Sequence, residues 1–344
     1  MTIWQRLRLS WSSHGERWLL GLAAMLLSMC LFDPGVTITR ARFDHVVVLD
    51  VTQSMNVADA QIDGQPVSRL ALAKRALHES LLQLPCGSKV GWAIFTEYRA
   101  LLLLAPIEVC ANLKELRATL AQIDGRMAWA GGSEIAKGVH SAIGIARQLP
   151  DRPTLVFVTD GHEAPPLNPR YRPAFDDKPG EVGGLIVGVG DGAPSPIPKV
   201  DPQGRPLGFW RADEVLQTDP RSQGRGASVK GEMLADDRVD AAAPTLGATP
   251  GNEHLSSLRE TYLRLLASER GLAYLHLQET AAMALALKTP AFAKPVPNRA
   301  DARPALGALA MLLLLARLAG PLWRRLRSPW RTRRTASSSA ANPQ

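Results

Sequence analysis

Acidic residues are missing from the C-terminal end of the chain. Residues 303–344 contain eight arginines and no aspartate or glutamate. Residues 1–17 carry three arginines and one glutamate, so subtracting both ends from the formal net charge of +8 leaves −2 for residues 18–302. The positive charge belongs to the two ends, and this distribution argues against nucleic acid as a partner.

The sequence also lacks internal repeats and, apart from a Ser/Ala-rich tail, low-complexity tracts. Of its 344 residues, 46% are hydrophobic and 21% are charged. This is enough apolar material for a sizeable core, which excludes a disordered or fibrous chain. The length allows one or two domains.

Charge is absent from residues 18–32, which we interpret as a short membrane anchor. Fifteen residues also fit the hydrophobic region of a signal peptide, but no A-x-A-like cleavage site follows. Residues 304–323 have the length of a transmembrane helix, and their one charge, Arg317, lies near the C-terminal end. The arginines beyond it place both termini in the cytoplasm of a bacterial inner membrane, with the intervening domain in the periplasm.

Between these segments, apolar runs alternate with amphipathic stretches. This alternation predicts an α/β fold, with a doubly wound, mostly parallel sheet and one antiparallel edge strand. The predicted strands are 42–50, 89–95, 99–104, 154–160, 184–189 and 273–277, and the predicted helices are 68–84, 112–123, 133–149, 255–267 and 281–287, with Ser133 as an N-cap.

The predicted domain organisation follows from these patterns. A basic cytoplasmic segment, 1–17, precedes the anchor; the domain spans 40–290, a linker spans 291–303, and the second span ends in a basic tail, 324–344. Residues 190–250 interrupt the domain and are rich in Pro, Gly, Asp and Arg. We expect either a small irregular hairpin or a mobile insertion there.

Oxygen-bearing side chains lie at the predicted carboxyl ends of two strands, where open α/β sheets bind ligands. Asp50, Thr52 and Ser54 follow the first strand, Asp160 ends a later one, and Ser133 follows a glycine pair. Oxygen ligands of this mixed charge suit a hard cation such as Mg²⁺. Trp129 is expected beside such a metal, as either a contact residue or core.

These motifs resemble the von Willebrand factor A (vWA) domain over residues 40–290. DVTQS stands in place of that family's D-x-S-x-S, GGS in place of G-G-T, and VTDG in place of its strand-end aspartate. The resemblance implies a metal-ion-dependent adhesion site. Thr52, Ser54 and Ser133 would be hydroxyl ligands, and Asp50 and Asp160 would bind directly or through water. A protein partner would supply a further acidic residue to the metal, most simply Mg²⁺, with Mn²⁺ or Ca²⁺ as alternatives.

The layout is similar to Bat-type bacterial membrane vWA proteins, which are often encoded near MoxR-type AAA+ ATPases. The stretches CGSKVGWAIFTEYR and TDGHEAPP look closest to vWA accessory proteins of bacterial methanol-oxidation clusters. This resemblance implies a role in maturing a periplasmic methanol dehydrogenase, with metal insertion as one form of that role. The expected function is partner recognition without catalysis; the alternatives are a metal-free structural scaffold and a metal-dependent hydrolase.

Two of the three cysteines flank the predicted hairpin. Cys86 precedes its first strand and Cys110 follows its second, so antiparallel pairing brings the two thiols together. A disulfide would persist outside the inner membrane, and we predict a Cys86–Cys110 bond. Cys30 lies in the predicted anchor.

Overall fold

The computed structural model describes residues 17–32, 34–167, 172–217, 232–234 and 251–326. The chain divides into two compact units. One is Ala41–Val296, and the other joins Met1–Arg40 with Pro297–Gln344. Residues 1–16 and 327–344, which make up most of the two predicted basic segments, lie outside the described residues, as does most of the second half of the 190–250 segment.

The described strands are numbered in chain order. They are β1 (Gly35–Asp50), β2 (Ala60–Ile62), β3 (Gln65–Val67), β4 (Lys89–Thr96), β5 (Arg99–Glu108), β6 (Thr154–Thr159), β7 (Pro173–Phe175), β8 (Gly184–Val189), β9 (Ser195–Pro196), β10 (Pro198–Val200), β11 (Pro206–Phe209), β12 (Glu232–Leu234), β13 (Leu255–Ser256), β14 (Ala273–Leu277) and β15 (Ala293–Asp301). The helices are α1 (17–29), α2 (Arg69–Leu81), α3 (Leu113–Gln122), α4 (Ile135–Gln148), α5 (Glu260–Arg270), α6 (Thr280–Leu287) and α7 (Arg303–Leu326).

The main sheet has the order β14-β8-β6-β1-β4-β5, and β15 also pairs with β1. The first five strands in this order, from β14 to β4, run parallel to one another. The edge strand β5 pairs antiparallel with β4. The α/β class, the mostly parallel sheet and the antiparallel edge strand are thereby confirmed. Residues 46–49 of β1 are fully buried, as expected of a strand covered on both faces.

Two apolar clusters cover the two faces of the sheet. Alternate β1 residues point to opposite faces, so Val47 and Leu49 join one cluster and Val46 and Val48 the other. The first cluster contains the buried faces of α2, α3 and α6, and the second contains those of α4 and α5. This arrangement places the carboxyl ends of β1 and β6 side by side.

A local signal explains where α2 begins. The Ser68 hydroxyl accepts a hydrogen bond from the Ala71 N–H at 3.2 Å and caps α2 as N-cap residues do. Two boundary predictions were wrong. The predicted helix 255–267 begins only at Glu260, because Leu255 and Ser256 pair with β9 instead. Ser133 does not cap α4, whose N-cap position is Glu134.

The 190–250 segment contains the irregular hairpin that was one of the two expectations. β10 pairs antiparallel with β11, with a register shift between Lys199 and Val200. The predicted Cys86–Cys110 disulfide is also confirmed, with the two Cα atoms 5.3 Å apart. It ties the start of β4 to the end of β5.

Most of the predicted linker 291–303 forms strand β15, Ala293–Asp301. The segment predicted as the anchor 18–32 holds α1 and a short 3-10 turn, Cys30–Phe32. The segment predicted as the span 304–323 lies within α7. Among the helices in the described residues, none combines the length and the apolar character needed to cross a membrane.

Candidate functional site

The end of β1 forms a compact group of oxygen atoms. Asp50 is fully buried, and its Oδ1 accepts hydrogen bonds from the Thr52 N–H at 2.9 Å and the Thr52 hydroxyl at 2.7 Å. The 3-10 turn Gln53–Asn56 brings the Ser54 hydroxyl to 3.2 Å from that of Thr52. The three residues of the D-x-T-x-S motif therefore form one hydrogen-bonded cluster.

The end of β6 lies against this cluster because β6 runs parallel to β1, with Leu49 opposite Val158. The Thr159 hydroxyl donates to Asp50 Oδ2 at 2.7 Å. Asp160, also fully buried, accepts the His162 N–H on Oδ1 at 2.9 Å. Ser54 contributes a hydrogen bond to Asp160 as well. Asp50 and Asp160 thus share neighbours.

A buried arginine holds the second oxygen of Asp160. The Arg69 Nη1 lies 2.5 Å from Asp160 Oδ2, which also accepts the Ser256 hydroxyl at 3.0 Å. The Arg69 Nη2 contacts Asp59 Oδ2 at 2.5 Å, and the Arg69 side chain is fully buried. Sequence analysis missed this residue, because one arginine at the start of an amphipathic helix carries no signal of burial.

Ser133 is held by main-chain hydrogen bonds from both sides. Its N–H donates to the Ala164 carbonyl at 2.7 Å and its carbonyl accepts the Ala164 N–H at 2.7 Å, while the Glu134 N–H donates to the Glu97 carbonyl at 2.5 Å. The Ser133 Oγ is buried and has no hydrogen-bond partner among the described residues. A fixed, buried hydroxyl without a partner is costly in a folded protein unless a ligand satisfies it.

The pKa values of Asp50 and Asp160 are shifted in opposite directions. Burial and the nearby negative charge of Asp160 raise the pKa of Asp50 to about 7. Burial is the largest influence on Asp160 and acts in the same sense. The Arg69 guanidinium, His162 and the hydrogen bond from Ser54 together outweigh it and lower the pKa of that carboxyl. Asp160 is therefore an ion-paired carboxylate. Ionisation of Asp50 is unfavourable, because it is buried and no cationic side chain of the described residues pairs with it.

A cavity of about 310 Å³ opens above these groups. Thr52, Ser54 and Ser133 line it, and Asp50 and Asp160 lie buried behind the first two. The structure thus brings the five predicted site residues to one end of the sheet. Trp129 lies outside the cavity lining; it is 45% exposed and donates from its indole N–H to Glu97 at 2.9 Å.

The donor set fits a hard divalent cation. Hydroxyl and carboxylate oxygens are the ligands that Mg²⁺ and Ca²⁺ prefer, and the partnerless Ser133 Oγ is the atom such an ion would satisfy. One feature differs from the expectation, because Arg69 already provides a positive charge at Asp160. The remaining unpaired acid is Asp50.

Two other groups of side chains in the described residues have metal-ligand spacing, and neither includes Asp50 or Asp160. In the first, Cys86 and Cys110 are bonded to each other and so are not thiolate ligands. In the second, the Asp177 carboxylate already contacts His140 at 2.6 Å and Arg270 at 3.6 Å. Both groups are accounted for by these contacts.

Comparison with known proteins supports the fold. Residues 45–162, which include the five site residues, match the family described as von Willebrand factor type A domain. The chain therefore contains a vWA-like α/β domain with a mostly parallel central sheet. No curated protein matches the chain.

Several solved structures show weaker similarity. An aerotolerance-related membrane protein from Bacteroides fragilis is 17% identical, with 71% of this chain and 96% of that chain covered and a TM-score of 0.45. A membrane spanning protein from Vibrio fischeri is 16% identical, with 69% and 94% covered and a TM-score of 0.26. The PilB minor pilin from Streptococcus sanguinis is 13% identical, with 73% and 60% covered and a TM-score of 0.36.

Proposed function

We propose that this protein binds a divalent cation at Asp50, Thr52, Ser54, Ser133 and Asp160 and uses it to recognise an acidic residue of a protein partner, without catalysis. The observation that carries the proposal is the buried Ser133 Oγ, which has no hydrogen-bond partner among the described residues and lines the same cavity as Thr52 and Ser54. Thr52, Ser54 and Ser133 would be the hydroxyl ligands. Asp50 would supply negative charge once the ion is bound, because a nearby cation offsets the burial and the Asp160 charge that raise its pKa.

The residual charge of the bound ion explains why an acidic partner is the expected ligand. Asp160 is already neutralised by Arg69, so a divalent cation would gain only part of its charge compensation from the two carboxylates. A cation that is incompletely neutralised by protein ligands attracts a further carboxylate. The bound ion therefore serves as an attachment point and leaves the partner chemically unchanged.

In its narrower form, we propose an accessory factor at the bacterial inner membrane, with the domain in the periplasm. It would act in maturation of a periplasmic enzyme such as a methanol dehydrogenase. This part depends on the resemblance of CGSKVGWAIFTEYR and TDGHEAPP to accessory proteins of methanol-oxidation clusters. A MoxR-type AAA+ ATPase is the expected companion system.

One observation favours a second candidate, a metal-free interaction scaffold. Arg69 satisfies the Asp160 carboxylate within the protein, as a structural ion pair would. In that case the hydroxyls around the cavity would bind a partner directly, and removal of divalent ions would leave the interaction intact.

Mn²⁺ binding to the full chain, followed by electron paramagnetic resonance, separates the two candidates. We expect one Mn²⁺ ion per chain, displaced by excess Mg²⁺, and an affinity at least tenfold lower in Ser133→Ala. Ser133→Thr keeps the hydroxyl and should bind nearly normally. Ser268→Ala removes an exposed hydroxyl from α5 and serves as the control.

Equal Mn²⁺ binding by wild type and Ser133→Ala, or no binding by either, would contradict the metal site and favour the scaffold. A pull-down then addresses the partner: Asp50→Ala should lose partners that the wild type retains in MgCl₂. A scaffold would hold the same partners in both proteins and in EDTA.

A further inference from the structure

One wall of the cavity comes from the irregular segment that interrupts the domain. Ile197, Trp210 and Leu216 line the cavity together with the hydroxyls of Thr52 and Ser54. Ile197 is buried, whereas Leu216 is 60% exposed at the mouth. The cavity thus combines a polar floor from the sheet with an apolar wall from a separate part of the chain.

The apolar wall is held in place by specific contacts. The Trp210 indole N–H donates to the Gln53 side-chain carbonyl at 2.7 Å, and Gln53 lies within the D-x-T-x-S motif itself. The Trp210 main-chain N–H donates to the Ile197 carbonyl at 3.0 Å. Lys199 lies 4.5 Å from the centre of the Trp210 ring and pairs with Glu214 at 2.6 Å. A wall tied in this way is a preformed surface.

The charge of the lining restricts what can enter. Glu163, Glu214 and Glu253 line the cavity, and among the described residues no lysine or arginine does. Glu214 pairs with Lys199 and Glu253 lies 3.9 Å from Arg259, so the described lining offers an acidic side chain no cationic partner of its own. With a divalent cation at the floor, the same side chain would be attracted, and the groups next to it would meet apolar side chains.

We infer that the partner segment carries an acidic residue with an aliphatic residue within two positions of it, the acid reaching the cation and the aliphatic side chain packing on Ile197, Trp210 and Leu216. This inference rests on the proposed function and adds the chemistry of the partner. Small sites of this kind gain orientation from a few polar contacts and affinity from apolar walls. An exposed leucine at the mouth becomes covered in such a complex.

Selection of a phage-displayed random heptapeptide library on the immobilised full chain tests the inference, in MgCl₂ and in EDTA. We expect the MgCl₂ selection to enrich peptides that pair an acidic with an aliphatic residue within two positions. The same selection on Leu216→Ser should still enrich acidic residues but lose the aliphatic preference. Leu207→Ser removes a comparably exposed leucine outside the cavity lining and should behave as wild type.

An enriched peptide is then measured by fluorescence anisotropy. Removing one apolar contact from such a pocket weakens binding by about tenfold, so Leu216→Ser should lower affinity by this factor and Leu207→Ser should not. Enrichment of acidic residues without an aliphatic neighbour, or no enrichment at all, would overturn the inference. Aliphatic enrichment that is equal in EDTA would overturn the proposed function as well, since it removes the cation from recognition.

Discussion

The two ends of the buried part of strand β1, residues 43–50, differ in how they accommodate a buried carboxylate. At the amino end, Asp44 Oδ2 is contacted by Arg42 at 2.7 Å and by Lys294 at 3.1 Å. At the carboxyl end, Asp50 is bonded only to hydroxyl and N–H donors, and no cationic side chain of the described residues pairs with it. Burial and the nearby Asp160 raise the pKa of Asp50 to about 7.

The difference separates stability from function. At the amino end the charge of Asp44 is neutralised by the protein itself through its Oδ2, although its buried Oδ1 has no hydrogen-bond partner among the described residues, and Cys86 is cross-linked to Cys110 nearby. The carboxyl end keeps one acid without a cation and one buried hydroxyl without a partner. Such incomplete compensation is typical of functional sites, where a ligand completes the interactions.

At the carboxyl end, Asp160 differs from Asp50 because Arg69 neutralises it. Removal of Arg69 should have the largest effect on the stability of the fold. Arg69→Met would leave Asp59 and Asp160 without their common cation in a buried position. Breaking a buried ion pair by removing one partner costs about 3 to 5 kcal/mol. We therefore expect a loss of that size in the free energy of unfolding, measured by urea denaturation.

Arg75→Met is the matched control for this change. Arg75 lies on the same helix, is 53% exposed and pairs with Glu79, so its loss should change stability by less than about 0.5 kcal/mol. A similar small effect for both variants would show that the Arg69 network contributes little. Under the proposed function, MgCl₂ should restore more stability to Arg69→Met than to the wild type, because Asp160 then lacks its internal cation.

Removal of the Cys86–Cys110 disulfide should have the second largest effect on stability. The bond closes a loop between residues 24 positions apart, for which the chain-entropy model gives about 3 kcal/mol. The double variant Cys86→Ala/Cys110→Ala should lose about this much stability in urea denaturation. Cys30→Ala, which removes the free cysteine, is the control.

A reductant provides an independent check on the disulfide. It should bring the wild type to the stability of the double variant and leave the double variant unchanged. Reaction of both thiols with a labelling reagent under denaturing, non-reducing conditions would contradict the bond.

Sequence patterns predicted the sheet and the two strand ends because both depend on neighbours in sequence. Val46–Leu49 reads as a strand buried on both faces, and the 89–104 hairpin brings Cys86 to Cys110. The Asp50, Thr52 and Ser54 cluster follows from one short motif. These features need no knowledge of distant contacts.

The Arg69 network and the apolar wall could not be predicted in this way. Arg69 joins Asp160 and Ser256, which lie 91 and 187 residues further along the chain. Ile197 and Trp210 belong to a segment without a helical or strand period, so nothing local marks them as cavity walls. The prediction that Ser133 is an N-cap was wrong for a related reason. A serine after two glycines looks like an N-cap, but here its main chain is bonded to Ala164 and the residues on either side of it are bonded to Glu97.

Substitution of His45, next to Asp44, should have the smallest effect on stability, and this effect depends on pH. Burial lowers its pKa from 6.5 to about 4, and the neutral ring lies 3.0 Å from the Leu287 carbonyl and 2.9 Å from the Thr154 hydroxyl. The unfolded chain binds a proton more readily than the folded one between these values. The contribution of His45 is therefore fully present above about pH 6.5 and is lost as the pH falls towards about 4.

Between about pH 7 and about pH 5 this linkage amounts to about 2 kcal/mol. His45→Gln keeps an N–H donor for the Leu287 carbonyl but does not titrate. Between about pH 7 and about pH 5, the free energy of unfolding of this variant should therefore fall by about 2 kcal/mol less than that of the wild type. Urea denaturation of both proteins at several pH values measures the difference in slope. Parallel pH profiles would mean that His45 keeps its ordinary pKa in the folded protein, and that the start of the buried part of β1 accommodates a positive charge.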